Sequence, residues 1–332
     1  MNNLKKIGLT ALAGSLVATS VFAGEMAVTG SASMKVAHVN GGAANAGKAF
    51  SMGNQLDFAG SGELDNGLTV SLAFAMDQGD DQYTAAASAT AAHGGGSPFD
   101  SHSVTISSDA LGTLKFHGEG GSSAQGAIDT TAAGDLWDSS FGITTVQDPK
   151  SSTGGDNMMV YTLPTLMDGV ALTTSYTPKA KTASSSTAYA IAYTGIEGLT
   201  LNYGKGSADG TTGSNADVTT LKGSYAYGSI TVGYSTTEYD SENTGADEDQ
   251  DVTSYDVSYT VSDAISISYG SEEISEPNDS DDQDIDVSGI TAAYTAGGMT
   301  ITATMIDADN TAMTTASTED KQQWSLAASF AF

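Results

Sequence analysis

The chain has 332 residues, with 39 glycines, 5 prolines and no cysteine, so disulfides and thiolate metal sites are excluded. Its formal net charge is -29, and every basic residue is a lysine, so the chain lacks the basic face that nucleic-acid binding needs. Abundant Gly, Ser, Thr and Ala favour a wall one sheet thick over a thick apolar core.

The N-terminus is predicted to be a targeting segment. Basic residues up to Lys6 precede a short apolar run at 7–17, and Val21 and Ala23 occupy the small-residue positions before a cleavage site. We therefore predict a signal peptide over residues 1–23, cleaved near Ala23. The alternative is an uncleaved membrane anchor, for which the run is short. No long apolar run follows, so a membrane form of the mature chain would have to be a closed barrel.

The mature chain, residues 24–332, alternates apolar and polar or small residues. In the third segment, for example, Leu72, Phe74 and Met76 share one parity, and Ser71 and Ala73 share the other. A period of two predicts β-strands with one apolar face. Strands are predicted at residues 25–39, 49–63, 68–76, 102–108, 113–119, 157–163, 170–176, 186–194, 199–205, 216–227, 230–239, 251–261, 264–274, 284–296, 299–308 and 321–332.

Short turns and longer polar loops alternate between these strands. Asn66-Gly67 is a strong hairpin turn signal. The longest unpatterned segment is the third loop, about residues 120–156, and loops of that length are usually functional. An even strand number with short turns at one end and long loops at the other is typical of an outer-membrane barrel. The fold class predicted is all-β: a transmembrane antiparallel β-barrel of 16 strands.

Two soluble folds are the alternatives to a barrel. A β-helix would repeat at a nearly fixed period, whereas the loops here vary greatly in length. A β-sandwich would bury large apolar residues between two sheets, whereas the second face here is Ser, Thr, Gly and Asp. Aromatic residues in strands or at their ends, such as Tyr227 and Trp324, also favour a membrane interface, although tyrosine is common in strands generally.

Two acidic runs lie in predicted loops, at residues 239–251 and 276–286. Clustered carboxylates repel one another unless counterions bind, and hard cations take several carboxylate oxygens. No cofactor is required by the sequence, but Ca2+ or Mg2+ is considered at Asp247, Asp249, Asp251, Asp281, Asp282 and Asp284. Neither run has EF-hand spacing, and the alternative is a solvated, repulsive loop tip. The four histidines form no hydrolase or metal motif, so the chain is not expected to be an enzyme.

Three stretches carry a resemblance to a known family. Residues 60–68, reading GSGELDNGL, resemble the first periplasmic turn of general bacterial porins of the sixteen-stranded, trimeric type. Residues 111–114 resemble the strand leading into the porin third loop, and Phe330 and Phe332 resemble the C-terminal signal read by the barrel-assembly machinery. The resemblance covers essentially the whole mature chain and is nearest to alphaproteobacterial porins.

This resemblance implies a homotrimer in outer-membrane lipid that passes small hydrophilic solutes passively. It implies that the third loop folds into the lumen as a constriction, with Asp129, Asp135, Asp138 and Asp148 as its acids. The family usually places arginines on the opposite wall, and this chain has none. Its charged lumen-wall candidates are Lys35, Lys115, Glu119, Lys222 and Lys321.

The excess of acids predicts a mild preference for cations, because a negative potential attracts them to the channel mouth. Two alternatives stay open at this point. One is a substrate-selective channel with a saturable binding track, and the other is a non-conducting surface or adhesin barrel.

Overall fold

A computed structural model describes residues 26–41, 47–77, 99–137, 148–178, 185–209, 215–241, 249–276, 284–311, 313 and 320–332. The strands are β1 Met26–Asn40, β2 Gly47–Glu63, β3 Thr69–Asp77, β4 Phe99–Ser108, β5 Gly112–Glu119, β6 Met158–Thr162, β7 Val170–Thr177, β8 Ser186–Tyr193, β9 Leu199–Asp209, β10 Asn215–Tyr227, β11 Ile230–Ser241, β12 Gln250–Ser262, β13 Ile265–Ser275, β14 Ile285–Ala296, β15 Met299–Asp309 and β16 Lys321–Ala331. No helix within these ranges has the length and hydropathy needed to cross a membrane. The signal-peptide prediction falls on residues outside the described part of the chain.

The strands form one closed antiparallel barrel. Each strand pairs with its neighbours in sequence, and β1 pairs with β16 to close the ring. The predicted antiparallel barrel of 16 strands is therefore confirmed. The predicted strand bounds differ from the observed ones by a few residues; β4, for example, begins at Phe99 and β9 extends to Asp209.

The two faces of the barrel differ in the way the alternation predicts. On β12, Tyr255, Val257 and Tyr259 point outward and are 46%, 45% and 50% exposed, while Ser254 points inward and is buried. Large apolar residues exposed on an outer surface are what a lipid-facing wall requires. The polar parity lines the interior.

The seam between the first and last strands is closed by backbone and side chain together. Gly30 donates its N–H to the carbonyl of Phe332 at 2.7 Å, and Phe332 donates to the carbonyl of Gly30 at 2.9 Å. The ring of Phe332 lies over Gly30, where a Cβ atom would come within 2.6 Å of the ring. The aromatic C-terminus therefore takes part in closing the ring.

The short turns pack against one another at the opposite end from the long loops. Gly169, between β6 and β7, has a φ of 76° and accepts a hydrogen bond from the N–H of Thr194 at 2.7 Å. A Cβ at Gly169 would lie 2.4 Å from the Cα of Gly195 in the next turn. Gly67 has a similar φ of 78°, but a Cβ there would meet nothing within 4 Å.

We expect Gly169→Ala to lower the barrel's melting temperature more than Gly67→Ala does. Both substitutions incur the left-handed backbone cost of about 1–2 kcal/mol, but only the first also drives a methyl group into the backbone of a neighbouring turn. The measurement is the temperature at which the folded form loses its fast gel mobility in detergent. Equal shifts for the two variants would contradict the observed packing of the turns.

Candidate functional site

The candidate site is the connection between β5 and β6 where it lies against the barrel wall. The described parts of this connection, residues 120–137 and 148–157, are here called the third-loop segment. Its two ends are joined by backbone hydrogen bonds in both directions between Gly121 and Gly155. These hydrogen bonds form a narrow stem that holds the two ends of the loop together, between its departure from β5 and its return to β6.

From the stem, the third-loop segment follows the wall strand by strand. The N–H of Ala124 donates to Ser175 Oγ on β7 at 2.8 Å, and Gln125 Nε2 donates to Thr220 Oγ1 on β10 at 2.8 Å. Farther on, the carbonyl of Thr130 accepts from Ser235 Oγ on β11 at 3.0 Å. These partners have the inward parity of their strands, so the described segment contacts the inner face of the barrel.

The returning limb binds the same wall. The side chain of Gln250 on β12 accepts from the N–H of Lys150 at 2.8 Å and donates to the carbonyl of Asp148 at 3.1 Å. Ser152 donates its N–H to Gln125 Oε1 at 2.7 Å, which ties the two limbs together. Gln125 is buried, so it serves as the internal brace of the segment.

One predicted lysine and one predicted loop acid form an ion pair. Lys222 Nζ on β10 lies 2.9 Å from Asp129 Oδ2 and also donates to the carbonyl of Thr131 at 2.7 Å. Lys222 is therefore next to the loop rather than across an opening from it. The pair holds the loop to the wall and offsets one loop charge.

A second loop acid, Asp135, lies in a tight turn. Asp135 has a φ of 57° and follows Gly134 at 82°, and its side chain accepts from Thr131 Oγ1 at 2.9 Å. Thr131 Oγ1 in turn accepts the N–H of Asp135 at 2.9 Å. Burial, followed by the charge of Asp129, raises the pKa of Asp135 above its ordinary value of 3.8.

The tip of the segment is bound by a carboxylate that the sequence analysis missed. Glu272 on β13 is fully buried, and its Oε1 and Oε2 accept the N–H groups of Leu136 and Trp137 at 3.0 and 2.9 Å. Ser254 on β12 likewise accepts from Ala132 and Ala133, both at 3.0 Å. The sequence signal for Glu272 is that an acid occupies an inward-facing position of a predicted strand.

Inward glycines let the loop approach the wall closely. A Cβ at Gly270 on β13 would lie 2.5 Å from the Cβ of Ala133, and one at Gly204 on β9 would lie 2.8 Å from Ile128. Glycine inside a strand often marks the close approach of another backbone. These positions fix where the loop runs.

An apolar cluster also lies on the inner side, contrary to the expectation of a uniformly polar inner parity. Its residues come from β12 to β15 near the long-loop ends and from Met313 beyond β15, and they are joined by Leu136 of the third-loop segment: Val252, Ile274, Ile285, Val287, Ile306, Ala308 and Met313. Ala133 and Trp137 pack against the cluster. The loop tip is thus held by apolar burial as well as by hydrogen bonds.

The other predicted site residues lie apart from this contact. Lys35 on β1 and Lys115 on β5 have inward parity, and Lys321, at the start of β16, is buried. Glu119 Oε2, at the end of β5, lies 3.7 Å from His102 Nδ1. Asp138 lies outside the described residues. The roles assigned to these residues in permeation stay predictions.

Only Asp249, Asp251 and Asp284 of the six candidate metal ligands lie in the described residues, and binding of Ca2+ or Mg2+ stays a prediction. Asp249 accepts the N–H of Ser241 at 2.7 Å, and the carbonyl of Asp284 accepts from Asn310 Nδ2 at 3.2 Å. Asp251 begins the outward parity of β12, whereas Asp247, Asp281 and Asp282 fall outside the described ranges. Within those ranges, no group of three potential metal-ligating side chains occurs.

We expect Glu272→Gln to loosen the loop tip, because an amide offers one acceptor oxygen where the carboxylate offers two. A hydrogen bond contributes about 0.5–1.5 kcal/mol net. The measurement is the rate of proteolytic cleavage within residues 120–156 of the folded protein, which should rise. Glu273→Gln, on the outward face of the same strand, is the control and should leave the rate unchanged. Equal rates for both variants would contradict the role of Glu272 in holding the loop tip.

Solved structures of bacterial porins share this architecture. An anion-selective porin from Comamonas acidovorans aligns with a TM-score of 0.67 at 15% identity, over 93% of this chain and 100% of that one. A loop-deletion mutant of OmpT from Vibrio cholerae aligns at 0.68 and 14% identity, over 93% and 99%. A mutant porin from Rhodopseudomonas blastica aligns at 0.62 and 15% identity, over 93% and 100%. At these identities the likeness shows the fold.

The sequence comparison supplies the family. No curated protein matches the chain significantly. The Gram-negative porin profile, however, matches residues 8–287, which is most of the chain. The chain therefore belongs to the Gram-negative porin family.

Proposed function

We propose that this porin is a passive diffusion channel of the outer membrane for small hydrophilic solutes and ions. The observation that carries the proposal is the inner wall: a closed ring of strands with inward hydroxyl and amide groups, to which the third-loop segment is bound. A polar interior holds water, and a loop bound inside narrows the path that solutes take. Removal of residues 1–23 and insertion by the barrel-assembly machinery, which would read Phe330 and Phe332, belong to the same proposal.

The charge distribution supports a mild cation preference. Lys222 is paired with Asp129, so this lysine does not present a free positive charge to the lumen. The carboxylate of Asp135 attracts cations near the loop. The negative field of the whole chain, whose formal net charge is -29, does the same. The Comamonas porin is described as anion-selective, but at 15% identity the charges along its channel need not match these.

We expect the purified, folded protein to conduct when added to a planar lipid bilayer. In a salt gradient its reversal potential should have the sign given by cation movement, because the acids concentrate cations at the narrow part of the channel. Protein unfolded by heat is the control. An anion-type reversal potential would contradict the selectivity, and the absence of conductance would favour the adhesin alternative.

The cation preference should also fall on acidification. Because the pKa of Asp135 is raised, this carboxyl takes up its proton at a higher pH than an ordinary one as the pH falls toward 3.8. The native state favours the protonated form, so protonation of Asp135 stabilises the folded loop while it removes negative charge from the channel. In Asp135→Asn, the reversal potential at neutral pH should already be smaller than in the unmodified protein. The change in reversal potential that protonation of Asp135 causes at pH values above 3.8 should be absent.

The distribution of tyrosine supports assembly of this chain with copies of itself. Of its 14 tyrosines, all but Tyr83 lie from Tyr161 to Tyr294, on β6 to β14. The remaining sector, β15 and β16 with β1 to β5, has no tyrosine in its strands. Tyrosine is enriched at lipid interfaces, so a sector whose strands carry Trp324 but no tyrosine suits contact with protein. There, Phe50 is 82% exposed beside a recess of about 630 Å³ that is lined by Met34, Ile301 and Ala328.

We expect Ala328→Trp to dissociate the proposed homotrimer, because the large ring would fill the recess that a neighbouring copy must enter. Ala292→Trp is the control, since Ala292 points outward on β14 in the tyrosine-bearing sector. The measurement is the mass of the protein in detergent by analytical ultracentrifugation. A monomeric unmodified protein, or dissociation by both variants, would contradict the assignment of this sector.

A further inference from the structure

A recess in the inner wall lies away from the strands to which the third-loop segment is bound. It has a volume of about 200 Å³ and spans β2 to β5. Its lining includes Asp57, Lys115, His117 and Glu119, which have the inward parity of β2 and β5, together with Phe58 and Phe74. The recess therefore opens to the lumen.

Small side chains form the floor of the recess. Ala59 pairs with Ala73, and Ala73 pairs with Ser103 across the strands. Ala59 and Ala73 are exposed, whereas Ser103 is nearly buried at 7% exposure. Consecutive small residues on three strands leave a depression where larger side chains would have filled the lumen, and the serine hydroxyl offers a hydrogen-bonding group on its floor.

Charged groups stand at both sides of this floor: Asp57 on β2, and Lys115 with Glu119 on β5, where Glu119 Oε2 lies 3.7 Å from His102 Nδ1. Asp57, on β2, is held by Gln55, whose Nε2 donates to Asp57 Oδ1 at 2.6 Å. Lys115, on β5, has His117 as a neighbour on the same face. In the part of the chain that the structure describes, no carboxylate lies within ion-pair distance of Lys115 Nζ. The ammonium group faces the recess half-buried and available to a solute.

The spacing of the two charges sets the length of a ligand that would contact both. Three strand spacings of about 4.8 Å separate β2 from β5, which is about 14 Å across the floor. Along the strands, Ser61 lies in the row of Lys115, so Asp57 is displaced by four residues, or about 13 Å at about 3.3 Å per residue. Combined, the two displacements separate the Cα atoms of Asp57 and Lys115 by about 19 Å. Lysine and aspartate side chains extended toward each other, about 6 and about 2.5 Å long, reduce the gap between the charged atoms to about 11 Å, which a single amino acid is too short to span.

From this arrangement we infer that the recess is a binding site for short zwitterionic peptides of two or three residues. The peptide carboxylate contacts Lys115, its ammonium group contacts Asp57, and its backbone lies over the alanines with Ser103 and His117 as hydrogen-bonding partners. Pockets for larger ligands have volumes of about 300–1,000 Å³, so the smaller volume here excludes longer peptides. This inference rests on the proposed channel, because solutes reach the site through the lumen.

The test uses the folded full-length barrel in detergent, with triglycine as the probe and saturation-transfer NMR titration as the readout. Triglycine should bind saturably. N-acetyltriglycine, which lacks the ammonium group, and triglycine amide, which lacks the carboxylate, should each bind at least tenfold more weakly. Glycine should bind more weakly than triglycine by a similar factor.

Matched variants locate the site. K115Q and D57N should each weaken triglycine binding at least tenfold. K205Q and D217N make the same charge changes in an ion pair on the outward face, 3.1 Å apart, and should leave binding unchanged. Equal binding of the three triglycine forms, or equal effects of the inward and outward variants, would overturn the inference.

Bilayer conductance of the same preparations separates the two proposals and reports that each variant is folded. A barrel that conducts salt but shows no saturable triglycine binding overturns the peptide site and leaves the proposed function standing. A barrel that does not conduct overturns the proposed function. Triglycine that reduces the current of the unmodified channel, but not of K115Q, supports both.

Discussion

The constraint on which the structure depends is that backbone N–H and C=O groups find no partners in lipid. A sheet satisfies this constraint only if it has no edge, and the pairing of β1 with β16 removes the edge. The mutual hydrogen bonds of Gly30 and Phe332 extend that pairing to the last residue of the chain. Once the ring is closed, each strand has one face for lipid and one for the interior, and the side chains can divide accordingly.

The interior combines two ways of holding a loop. Hydrogen bonds donated by the third-loop segment to Ser175, Thr220, Ser254 and Glu272 follow it around the wall. Apolar contacts around Leu136 then hold its tip where the strands rise toward the long loops. The polar contacts set the path of the loop, since each requires a particular partner, whereas the apolar burial adds stability without fixing direction. A loop held in both ways keeps its charges in fixed places.

The period of two made the strands predictable, because each crossing of the wall repeats the same pattern. The inner apolar cluster was missed because each strand was assigned one apolar parity along its whole length. On β14 that parity changes: Ile285 and Val287 point inward and are buried, whereas Ile290 and Tyr294 point outward and are exposed. The change is visible in the sequence as Asp284 and Asp286 taking the outward positions near the loop.

The loop contacts could not be predicted in the same way. Asp129 and Lys222 are 93 positions apart, and no local pattern links them. Residue type and parity identify both members of this pair as candidates but do not predict their pairing. Glu272 was overlooked because an isolated acid on a strand carries no motif. The path of a loop along the barrel wall depends on small residues on several strands. The path cannot be predicted from any one of these strands alone.

The outward and inward division of the strands is tested most directly by spin labels on β12. Because the chain has no cysteine, single cysteines can be placed at each position from Ser254 to Tyr259 and labelled in the folded protein in lipid bilayers. Relaxation by oxygen, which concentrates in lipid, should peak at 255, 257 and 259, and relaxation by a water-soluble nickel complex should peak at the positions between them. A profile with no two-residue period, or with the two reagents peaking at the same positions, would contradict the barrel's orientation in the membrane.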